Sequence, residues 1–574
     1  MGRWKSLNHS SLYSKMTFKC YLDTMPTFDE LLVDVGEFGP YQKRVCLLGC
    51  IPGILFAFSF VGIVFLGNTP DHWCRSPEAE EIQQQCGWTQ EELRAFTIPQ
   101  SSQGAYSQCE RFDVDWNSTE LNCSRPLPLS STNSTERLPL TACDSGWQFE
   151  ESRSTIVTEF DLVCEDAWKA DLNQAFLNAG FLLGAVVIGY GADRFGRKLC
   201  FLISIFGLGI SSVGLIFSPN YSLILFFRFV QGIFGKGAWM SSYVLVTEIV
   251  TSQHRRLVGI VCQLFFTFGV IILPGIAYLI PPWKMLQLAI TIPSFLLLTY
   301  YWLMPESPRW LLTVNRTKEA LRIAENMAKQ NGTQLPEKYS TVELLETVPE
   351  KTYIPSPLDV FRTPQMRKFT LILMYAWFTS SVVYQGLVMR LGIIGGNLYL
   401  EFFISGIVEL PSALIFYLTV DRVGRRIPFL LANIVGGLSC LITAFIPDDI
   451  TWLKTIIAVI GRLGITLGFE IVYLVSTELY PTPLRNLGVS ISSSLSDVGG
   501  IVAPFLLFRL ANIWIELPMV LYGVMSLIYG GLVLLLPETK GIDLPETIED
   551  VEALGRATKA VLDTNKRKAK DGII

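Results

Sequence analysis

The sequence predicts an all-α membrane protein with 12 transmembrane helices in two pseudo-symmetric six-helix halves and a large disulfide-bonded extracellular loop. Of the 574 residues, 50% are hydrophobic and only 17% are charged, whereas soluble domains carry about 25% charged residues. Twelve apolar runs are long enough to cross a bilayer, and three short motifs of the first half recur in the second. This pattern is typical of a polytopic membrane protein and excludes a soluble enzyme.

The first part of the chain contains one predicted span and a long polar loop. A polar segment, 1–43, precedes the span 44–66, and the loop 67–168 follows. The loop holds six of the twelve cysteines, namely Cys74, Cys86, Cys109, Cys123, Cys143 and Cys164, and three glycosylation sequons, at Asn117, Asn122 and Asn133. An even cysteine count beside sequons predicts an extracellular loop with three disulfides, which could be paired in fifteen ways.

The remaining apolar runs fall into two groups around a polar segment at 305–368, and a charged tail fills 537–574. The predicted spans are 171–192, 199–218, 221–246, 257–280 and 284–304 in the first half (171–304), and 369–391, 398–420, 427–446, 452–476, 487–511 and 515–536 in the second (369–536). An even number of spans brings both termini to one side. Basic motifs at 193–198, 254–256 and 421–426 predict that this side is cytoplasmic, by the positive-inside rule.

Three motifs repeat in the same order in the two halves. Asp193-Arg-Phe-Gly-Arg-Lys recurs as Asp421-Arg-Val-Gly-Arg-Arg, Thr247-Glu248 as Thr477-Glu478, and Pro305-Glu306-Ser307 as Pro537-Glu538-Thr539. Parallel halves of this kind hold a substrate site at the midplane, and rocking of one half on the other alternates access to it. Within the first motif and its repeat, Gly196 and Gly424 permit a tight turn between neighbouring helices.

The charged residues of these motifs are predicted to couple the movements of the halves. The proposed gating set on this face is Asp193, Arg194, Arg197, Glu248, Asp421, Arg422, Arg425 and Glu478. Their ion pairs would latch the cytoplasmic face while the site is open outward. Positive-inside anchoring is the plainer interpretation of the arginines, but it gives the acidic members no role.

Longer motifs resemble a known family. STIVTEFDLVC (154–164), ADRFGRKLC (192–200), PESPRWLL (305–312), ELYPTPLRNLGV (478–489) and LPETKG (536–541) resemble the organic cation and anion transporters of the major facilitator superfamily. GKGAWM (235–240) and the stretches 377–399 and 461–475 are similar to the organic cation branch, and most similar to its third subtype, the extraneuronal monoamine transporter type. The resemblance implies the major facilitator fold and facilitated, sodium-independent, bidirectional transport.

Few ionisable residues are predicted inside the membrane: Arg228, Lys236, Glu409, Arg462, Glu470 and Asp497. A charge at that depth costs a few kcal/mol, so we expect each of these residues to have a structural or functional role. The acids favour a cavity for cations, and the anion-transporting relatives have a basic residue where Asp497 stands. We interpret Arg228 and Arg462 as structural or gating residues, and Lys236 as a gating residue that pairs with an acid in the empty state.

Aromatic side chains complete the predicted binding site, because their faces attract ammonium groups by about 0.5–2 kcal/mol each. Phe56 and Phe60 lie four residues apart on one helix face, and Trp377 and Tyr384 lie seven apart. A single aromatic residue in such a chain more often faces lipid. The resemblance implies a substrate-binding set of Phe56, Phe60, Gln263, Phe266, Trp377, Tyr384, Glu409, Glu470, Tyr473 and Asp497.

These observations predict a polyspecific, potential-driven uniporter of organic cations in the plasma membrane. Its substrates would be monoamines (dopamine, noradrenaline, adrenaline, histamine and serotonin), quaternary ammonium compounds and cationic drugs. The alternatives are a sodium- or proton-coupled carrier of carnitine-like zwitterions and, from another class, a receptor or adhesion protein that uses the loop.

The sequence contains no catalytic constellation. The three histidines are too far apart to suggest a metal site, and Gly235-Lys236-Gly237 lacks the spacing of a phosphate-binding loop. We therefore expect no enzyme activity, no cofactor, no bound metal and no nucleic-acid partner. The expected partners are small organic cations and the lipid bilayer, and the sequence leaves a homo-oligomer open.

Overall fold

The computed structural model describes residues 28–100, 106–114, 116, 123, 139–150, 154–251, 253–336, 356–390, 397–447, 450–481, 484–540, 545 and 547–556. The predicted glycosylation sites Asn117, Asn122 and Asn133 lie outside these residues. Positions 1–27 and 557–574, in the two predicted terminal segments, lie outside them as well.

In the described part of the chain, twelve apolar helices form the body of the protein, and we label them α1 to α12. They are Pro40–Leu66, Ala167–Phe195, Arg197–Ile216, Tyr221–Ile249, Arg255–Leu279, Trp283–Leu303, Pro364–Arg390, Leu398–Val423, Arg426–Phe445, Thr451–Leu479, Arg485–Ala511 and Leu517–Val533. The first eleven are long and apolar enough to cross a membrane, and α12 is shorter, with 17 residues. The predicted twelve-helix fold is thus present.

Several helices are longer than the spans predicted from hydropathy. Helices α2, α4 and α10 each contain 29 residues, which corresponds to about 44 Å of helix. The hydrocarbon core of a bilayer is only about 30 Å thick. Hydropathy detects the apolar part of each helix, whereas the backbone hydrogen bonds continue through the polar residues at the ends.

We call the end of the bundle that carries 193–198 and 421–426 the motif face, and the end that carries 67–163 the loop face. At the motif face, Gly196 and Gly424 separate α2 from α3 and α8 from α9, with φ angles of +102° and +103°. L-residues with a side chain rarely adopt such angles. A Cβ at Gly196 would also lie 2.5 Å from a carboxylate oxygen of Glu306, and one at Gly424 would lie 2.8 Å from Glu538.

Small residues allow close helix packing inside each half. A Cβ at Gly180 in α2 would lie 2.2 Å from the carbonyl oxygen of Phe229 in α4, and one at Gly232 would lie 2.2 Å from that of Leu177. The backbones of α2 and α4 therefore touch, as is common where glycines face each other in membrane helices. Between the halves, the main contacts join α2 to α11 and α5 to α8.

The segment between α1 and α2 forms a compact subdomain on the loop face. It contains helices Pro77–Cys86, Gln90–Thr97 and Ile156–Glu159, and two antiparallel strand pairs, His72–Cys74 with Trp147–Phe149 and Glu110–Phe112 with Leu140–Ala142. These short strands are the exception to the all-α prediction. Among the described residues, three disulfides link Cys74 to Cys143, Cys86 to Cys123 and Cys109 to Cys164, so one of the fifteen pairings is selected.

The loop subdomain is anchored to the first half at the start of α6. One carboxylate oxygen of Glu159 accepts a hydrogen bond from the indole nitrogen of Trp283 at 2.8 Å, and the other lies 2.5 Å from the Lys284 ammonium. The backbone N–H of Trp283 donates to the carbonyl oxygen of Ser154 at 3.0 Å. These contacts fix the end of the loop against the helix bundle.

Short helices cover the motif face: Phe28–Asp34, Pro308–Thr313, Thr317–Asn331 and a 3-10 turn at Pro357–Phe361. The polar segment predicted at 305–368 is therefore partly helical. Its Asn331 side chain accepts a hydrogen bond from the N–H of Tyr41 at 3.0 Å and donates to the carbonyl oxygen of Val35 at 3.1 Å. This side chain joins the segment between the halves to the start of α1.

We expect Gly180→Val to disrupt the first half, because the new side chain must push α4 away from α2. Overpacking of this kind costs about 1–3 kcal/mol or more. The measurement is the melting temperature and the yield of monodisperse protein in detergent. Gly189→Val is the matched control on the same helix, since no heavy atom lies within 4 Å of a Cβ there. Equal losses in the two variants would contradict the predicted contact.

Candidate substrate-binding site between the two halves

An ion pair joins the halves near the middle of the membrane helices. The Lys236 ammonium in α4 lies 3.0 Å and 3.4 Å from the two carboxylate oxygens of Asp497 in α11. It also lies 5.8 Å from the ring centre of Phe181 in α2. Asp497 is buried, with 7% of its surface exposed. Because buried charges are costly unless they are paired, this contact holds the two halves together in the present conformation.

A second buried ion pair lies inside the second half. The Arg462 guanidinium in α10 contacts one carboxylate oxygen of Glu409 in α8 at 2.5 Å and 3.1 Å. The Tyr384 hydroxyl donates to the same oxygen at 2.9 Å, and the guanidinium lies 5.2 Å from the Tyr384 ring centre. Arg228, the other predicted structural or gating arginine, lies inside the first half, where it donates to Gln231.

Glu470 differs from the two paired acids. It lies on α10, two turns from Arg462, and its electrostatic neighbours are the Glu409 carboxylate and the Ser412 hydroxyl. One of its carboxylate oxygens is buried without a hydrogen-bond partner. Within the described residues, no lysine or arginine lies within ion-pair distance of it. Glu470 is therefore the carboxylate of this group that is available to a positively charged ligand.

Aromatic rings from the first half form a wall beside Lys236. Phe56 lies 5.9 Å from Phe60, 5.6 Å from Trp239 and 6.0 Å from Phe266, measured between ring centres. Phe181 completes the wall, at 5.3 Å from Phe56 and 5.9 Å from Phe60. The spacing of Phe56 and Phe60 along the sequence identified two of these rings, whereas Phe181 was missed.

The aromatic wall continues into the second half. Tyr384 lies 6.4 Å from Phe60 across the interface and 6.5 Å from Phe469. Trp377 follows, at 5.4 Å from Phe469 and 6.2 Å from Tyr473. The sequence missed Phe469, although it directly precedes the predicted Glu470. Rings from both halves thus form one surface beside the carboxylates, and such a surface suits ammonium groups.

Gln263 is a predicted site residue in the first half. It lies half-buried on α5, three residues before Phe266. Its backbone carbonyl oxygen accepts a hydrogen bond from the Thr267 hydroxyl. Across the described residues, no hydrogen bond to its side-chain amide is found, so that amide is available to a ligand.

A carboxamide cluster between the halves was missed in the sequence. The Asn178 amide nitrogen in α2 donates to the carbonyl oxygen of Gly500 in α11 at 3.1 Å, and the Gln385 amide nitrogen in α7 donates to the Asn178 oxygen at 3.1 Å. Closer to the loop face, Arg509 of α11 contacts Asp171 of α2 at 3.0 Å. The sequence pattern that could have revealed this cluster is a polar stripe on a membrane helix, because Gln174 and Asn178 lie on one side of α2. Phe181 lies on the same side.

At the motif face, the repeated charges make equivalent pairs in the two halves. Arg197 contacts Glu248 at 3.0 Å, and Arg425 contacts Glu478 at 3.0 Å. Among the described residues of this face, a pair between the halves involves a different arginine, since Arg256 of α5 contacts Asp421 of α8 at 2.7 Å.

The remaining motif charges lie near the protein surface. Asp193, near the end of α2, lies 3.1 Å from Arg197 at the start of α3, and its side chain is 77% exposed. Arg194 contacts the Tyr190 hydroxyl at 3.3 Å, and the carbonyl oxygen of Arg422 accepts a hydrogen bond from Lys540 at 2.7 Å.

Two glutamates of the repeated Pro-Glu motif have a role that the sequence did not reveal. The Glu306 carboxylate accepts hydrogen bonds from the backbone N–H groups of Arg197 and Lys198, and Glu538 accepts them from Arg425 and Arg426. Burial raises the pKa of Glu538, but its backbone hydrogen bonds outweigh burial and hold the pKa below its usual value. Each glutamate caps the first turn of the helix after the glycine, where negative charge is favourable.

Comparisons with known proteins agree with this architecture. The family model described as "Sugar (and other) transporter" matches residues 151–550. "Solute carrier family 22 member 3" of Mus musculus is 57% identical over 538 residues, which cover 92% of this chain and 96% of that protein. The chain belongs to solute carrier family 22. The Homo sapiens "Solute carrier family 22 member 2" is 49% identical over 539 residues, which cover 93% of this chain and 97% of that protein.

The fold of this family 22 chain is shared with a solved transporter structure. The partially occluded inward open conformation of the xylose transporter XylE from E. coli matches with a TM-score of 0.57 and 15% identity, over 88% of this chain and 100% of that one. The family and subtype predicted from the motifs, organic cation transporters of the third subtype in the major facilitator superfamily, are confirmed. This member of solute carrier family 22 is therefore a multi-pass membrane transporter and not an enzyme.

We expect Arg462→Met to destabilise this family 22 transporter strongly, because Glu409 is left charged and buried. Breaking one side of a buried pair costs about 3–5 kcal/mol. The measurement is the melting temperature in detergent, and Arg462→Met with Glu409→Gln should recover most of the loss. Arg316→Met is the control, since its pair with Glu319 is exposed and contributes about 1 kcal/mol or less. A double variant as unstable as the sum of the singles would contradict a direct pair.

Proposed function

We propose that the protein is a polyspecific, facilitative carrier of organic cations that works by alternating access. The observation that carries this proposal is Glu470, a carboxylate that lacks a cationic partner among the described residues and stands beside a continuous aromatic surface. A ligand with an ammonium group supplies the missing charge, and its apolar part packs on the rings. An anion would meet the same carboxylate and be repelled.

Lys236 acts in this proposal as the internal competitor of the substrate. In the present conformation its ammonium group occupies the place beside Asp497 and the Phe181 ring that a substrate cation would take. A bound cation near Glu470 weakens this pair by repulsion and frees the contact between α4 and α11. After release, Lys236 pairs with Asp497 again, so the empty carrier can return without a buried unpaired acid.

The membrane potential is the proposed driving force. One positive charge that crosses the membrane gains about 2.3 kcal/mol per 100 mV, enough for roughly fortyfold accumulation. Few hydrogen bonds would fix a bound cation, because the site offers mainly rings and one free carboxylate. The proposed substrates are therefore varied: the monoamines dopamine, noradrenaline, adrenaline, histamine and serotonin, quaternary ammonium compounds and cationic drugs.

The proposed location and orientation rest on the positive-inside pattern and the sequons of the sequence. We place the protein in the plasma membrane with both termini on the cytoplasmic side, so that the motif face is cytoplasmic and the loop face is extracellular. The three sequons then lie in the secretory lumen during synthesis and can be glycosylated. A homo-oligomer is compatible with this arrangement but is not needed for the proposed mechanism.

A coupled carrier of carnitine-like zwitterions is the alternative. Such a carrier needs a basic group for the substrate carboxylate. The two basic side chains at the site, Lys236 and Arg462, are both engaged with acids. This arrangement favours the cation carrier.

Uptake of a labelled quaternary ammonium ion in transfected cells tests the proposal. We expect equal uptake with and without sodium, and lower uptake when the cells are depolarised, because the substrate charge alone couples transport to the potential. Preloaded cells should also release the label, and unlabelled cation outside should accelerate its exit. Sodium-dependent uptake or an absence of voltage dependence would contradict the proposal.

Two substitutions separate the roles of the acids. We expect Asp497→Asn to reduce cation uptake about tenfold or more, equivalent to about 1.4 kcal/mol, because Lys236 then remains as an unpaired positive charge. Glu470→Gln should raise the KM for cations and change the ranking among monoamines. Surface biotinylation checks trafficking, and Glu319→Gln on the motif face is the control. Near-normal uptake by Asp497→Asn, or an unchanged substrate profile in Glu470→Gln, would remove that residue from the site.

A further inference from the structure

Two free cysteines of the first half are in direct contact inside the helix bundle. The Sγ atoms of Cys50 in α1 and Cys262 in α5 lie 2.9 Å apart, so that one thiol can donate a hydrogen bond to the other. Neither cysteine belongs to the three disulfides of the loop subdomain. Both residues are buried, with 0% and 1% of their surfaces exposed. The substrate site proposed above assigns no role to this pair of thiols.

The backbones of α1 and α5 approach each other closely beside the two thiols. A Cβ at Gly53, three residues after Cys50, would lie 3.4 Å from the carbonyl oxygen of Cys262. Further along the same helices, a Cβ at Gly269 would lie 2.8 Å from the carbonyl oxygen of Ile54. Because neither helix can turn or withdraw without changing this packing, the two sulfurs are held facing each other.

The chemistry of the surroundings favours a bond between the sulfurs over a shared metal ion. The pair packs with the apolar side chains of Val246, Val250 and Val258. Within the described residues, no third cysteine, histidine or carboxylate lies close enough to complete a three-ligand group with it. Two sulfurs that each bind one zinc ion at about 2.3 Å are separated by about 3.8 Å, whereas those of a disulfide are about 2.05 Å apart. The observed 2.9 Å is nearer to the disulfide.

We propose that Cys50 and Cys262 are a site of reversible oxidation by hydrogen peroxide, which joins α1 to α5 through a disulfide. The sulfur of one thiol attacks a peroxide oxygen, the O–O bond breaks, and the thiol proton leaves with the released hydroxide as water. The sulfur of the second thiol attacks the resulting sulfenic acid, so that the S–S bond forms and the S–O bond breaks. The second thiol proton and the hydroxide leave as another water. The two thiols together lose two electrons, which reduce the peroxide.

The position of the pair selects a small, uncharged oxidant. Cys262 is the eighth residue of α5, about 10 Å along the helix from the motif face. Because both thiols are almost completely buried, peroxide reaches them during local opening of the helix ends, and the reaction is slower than that of an exposed thiolate. A sulfenic acid formed there is captured by the thiol in contact with it, which protects it from further oxidation.

The disulfide acts on the aromatic wall of the first half. Phe56 lies six residues after Cys50 in α1, and Phe266 lies four residues after Cys262 in α5. The centres of these two rings are 6.0 Å apart. Bond formation brings the sulfurs from 2.9 Å to about 2.05 Å and ties the helices together. If the protein carries cations as proposed above, uptake becomes slower, because α1 and α5 can no longer adjust their spacing around the substrate.

The first test maps the bond itself and does not depend on transport. Purified full-length protein in detergent is treated with hydrogen peroxide, denatured, alkylated and digested, and its cross-linked peptides are identified by mass spectrometry. We expect the peptides that carry Cys50 and Cys262 to be joined, and dithiothreitol to separate them. Recovery of both cysteines as alkylated thiols, or as sulfinic acids without a cross-link, would overturn the proposal.

The second test measures uptake of a labelled quaternary ammonium ion by protein reconstituted into liposomes with an inside-negative potential. Peroxide should lower the initial rate at least threefold, and dithiothreitol should restore it. Cys262→Ser should resist peroxide, with Cys50→Ser as the second variant if the first fails to fold. Cys440→Ser is the matched control and should stay sensitive, since Cys440 is a buried free cysteine of α9 in the second half.

The outcomes separate this inference from the proposed function. Equal peroxide sensitivity of the wild type and Cys262→Ser, or unchanged uptake despite a mapped disulfide, would overturn the effect on transport. An untreated protein that takes up no cation would contradict the proposed function instead, and a disulfide mapped in the first test would still establish the oxidation site.

Discussion

The structure depends on the pairing of charges that are buried in the membrane. Lys236 and Asp497 join the halves at the middle of the bilayer, and Arg462 and Glu409 neutralise each other beside them. Two charged groups at this depth in the described helices have no partner of opposite charge within ion-pair distance. Glu470 leaves a negative charge beside the aromatic wall, and Arg228 leaves a positive one inside the first half. The unpaired acid beside the aromatic wall favours a mobile cationic ligand.

The repeated motifs organise the motif face by two different interactions. Within each half, a glycine turn, an arginine–glutamate pair and a capping glutamate fix the start of the following helix, as with Gly196, Arg197 and Glu306. Between the halves, the described residues Arg256 and Asp421 form an exposed pair. Exposed pairs are weak. The described pairs within each half are thus more buried than the pair between the halves, which suits rocking of one half on the other.

Much of the fold could be predicted from the sequence, because hydropathy and the internal repeat are local signals. The site was predicted less completely. Asp497 was recognised by its depth, but its partner lies 261 residues away, and spacing along the chain does not reveal which helices meet. Phe181 was missed because one phenylalanine in an aromatic-rich chain resembles a lipid-facing residue. The capping by Glu306 was missed because it depends on the position of a helix end.

The anchoring of the loop subdomain to α6 has a practical consequence for imaging this protein. The three disulfides hold that subdomain together, and the contact of Glu159 with Trp283 attaches it to the first half. An antibody fragment raised against it would therefore move with the first half through the transport cycle. Such a fragment would enlarge a small particle for cryo-electron microscopy without bridging the halves. Its tilt relative to the detergent micelle would then report the rocking angle directly.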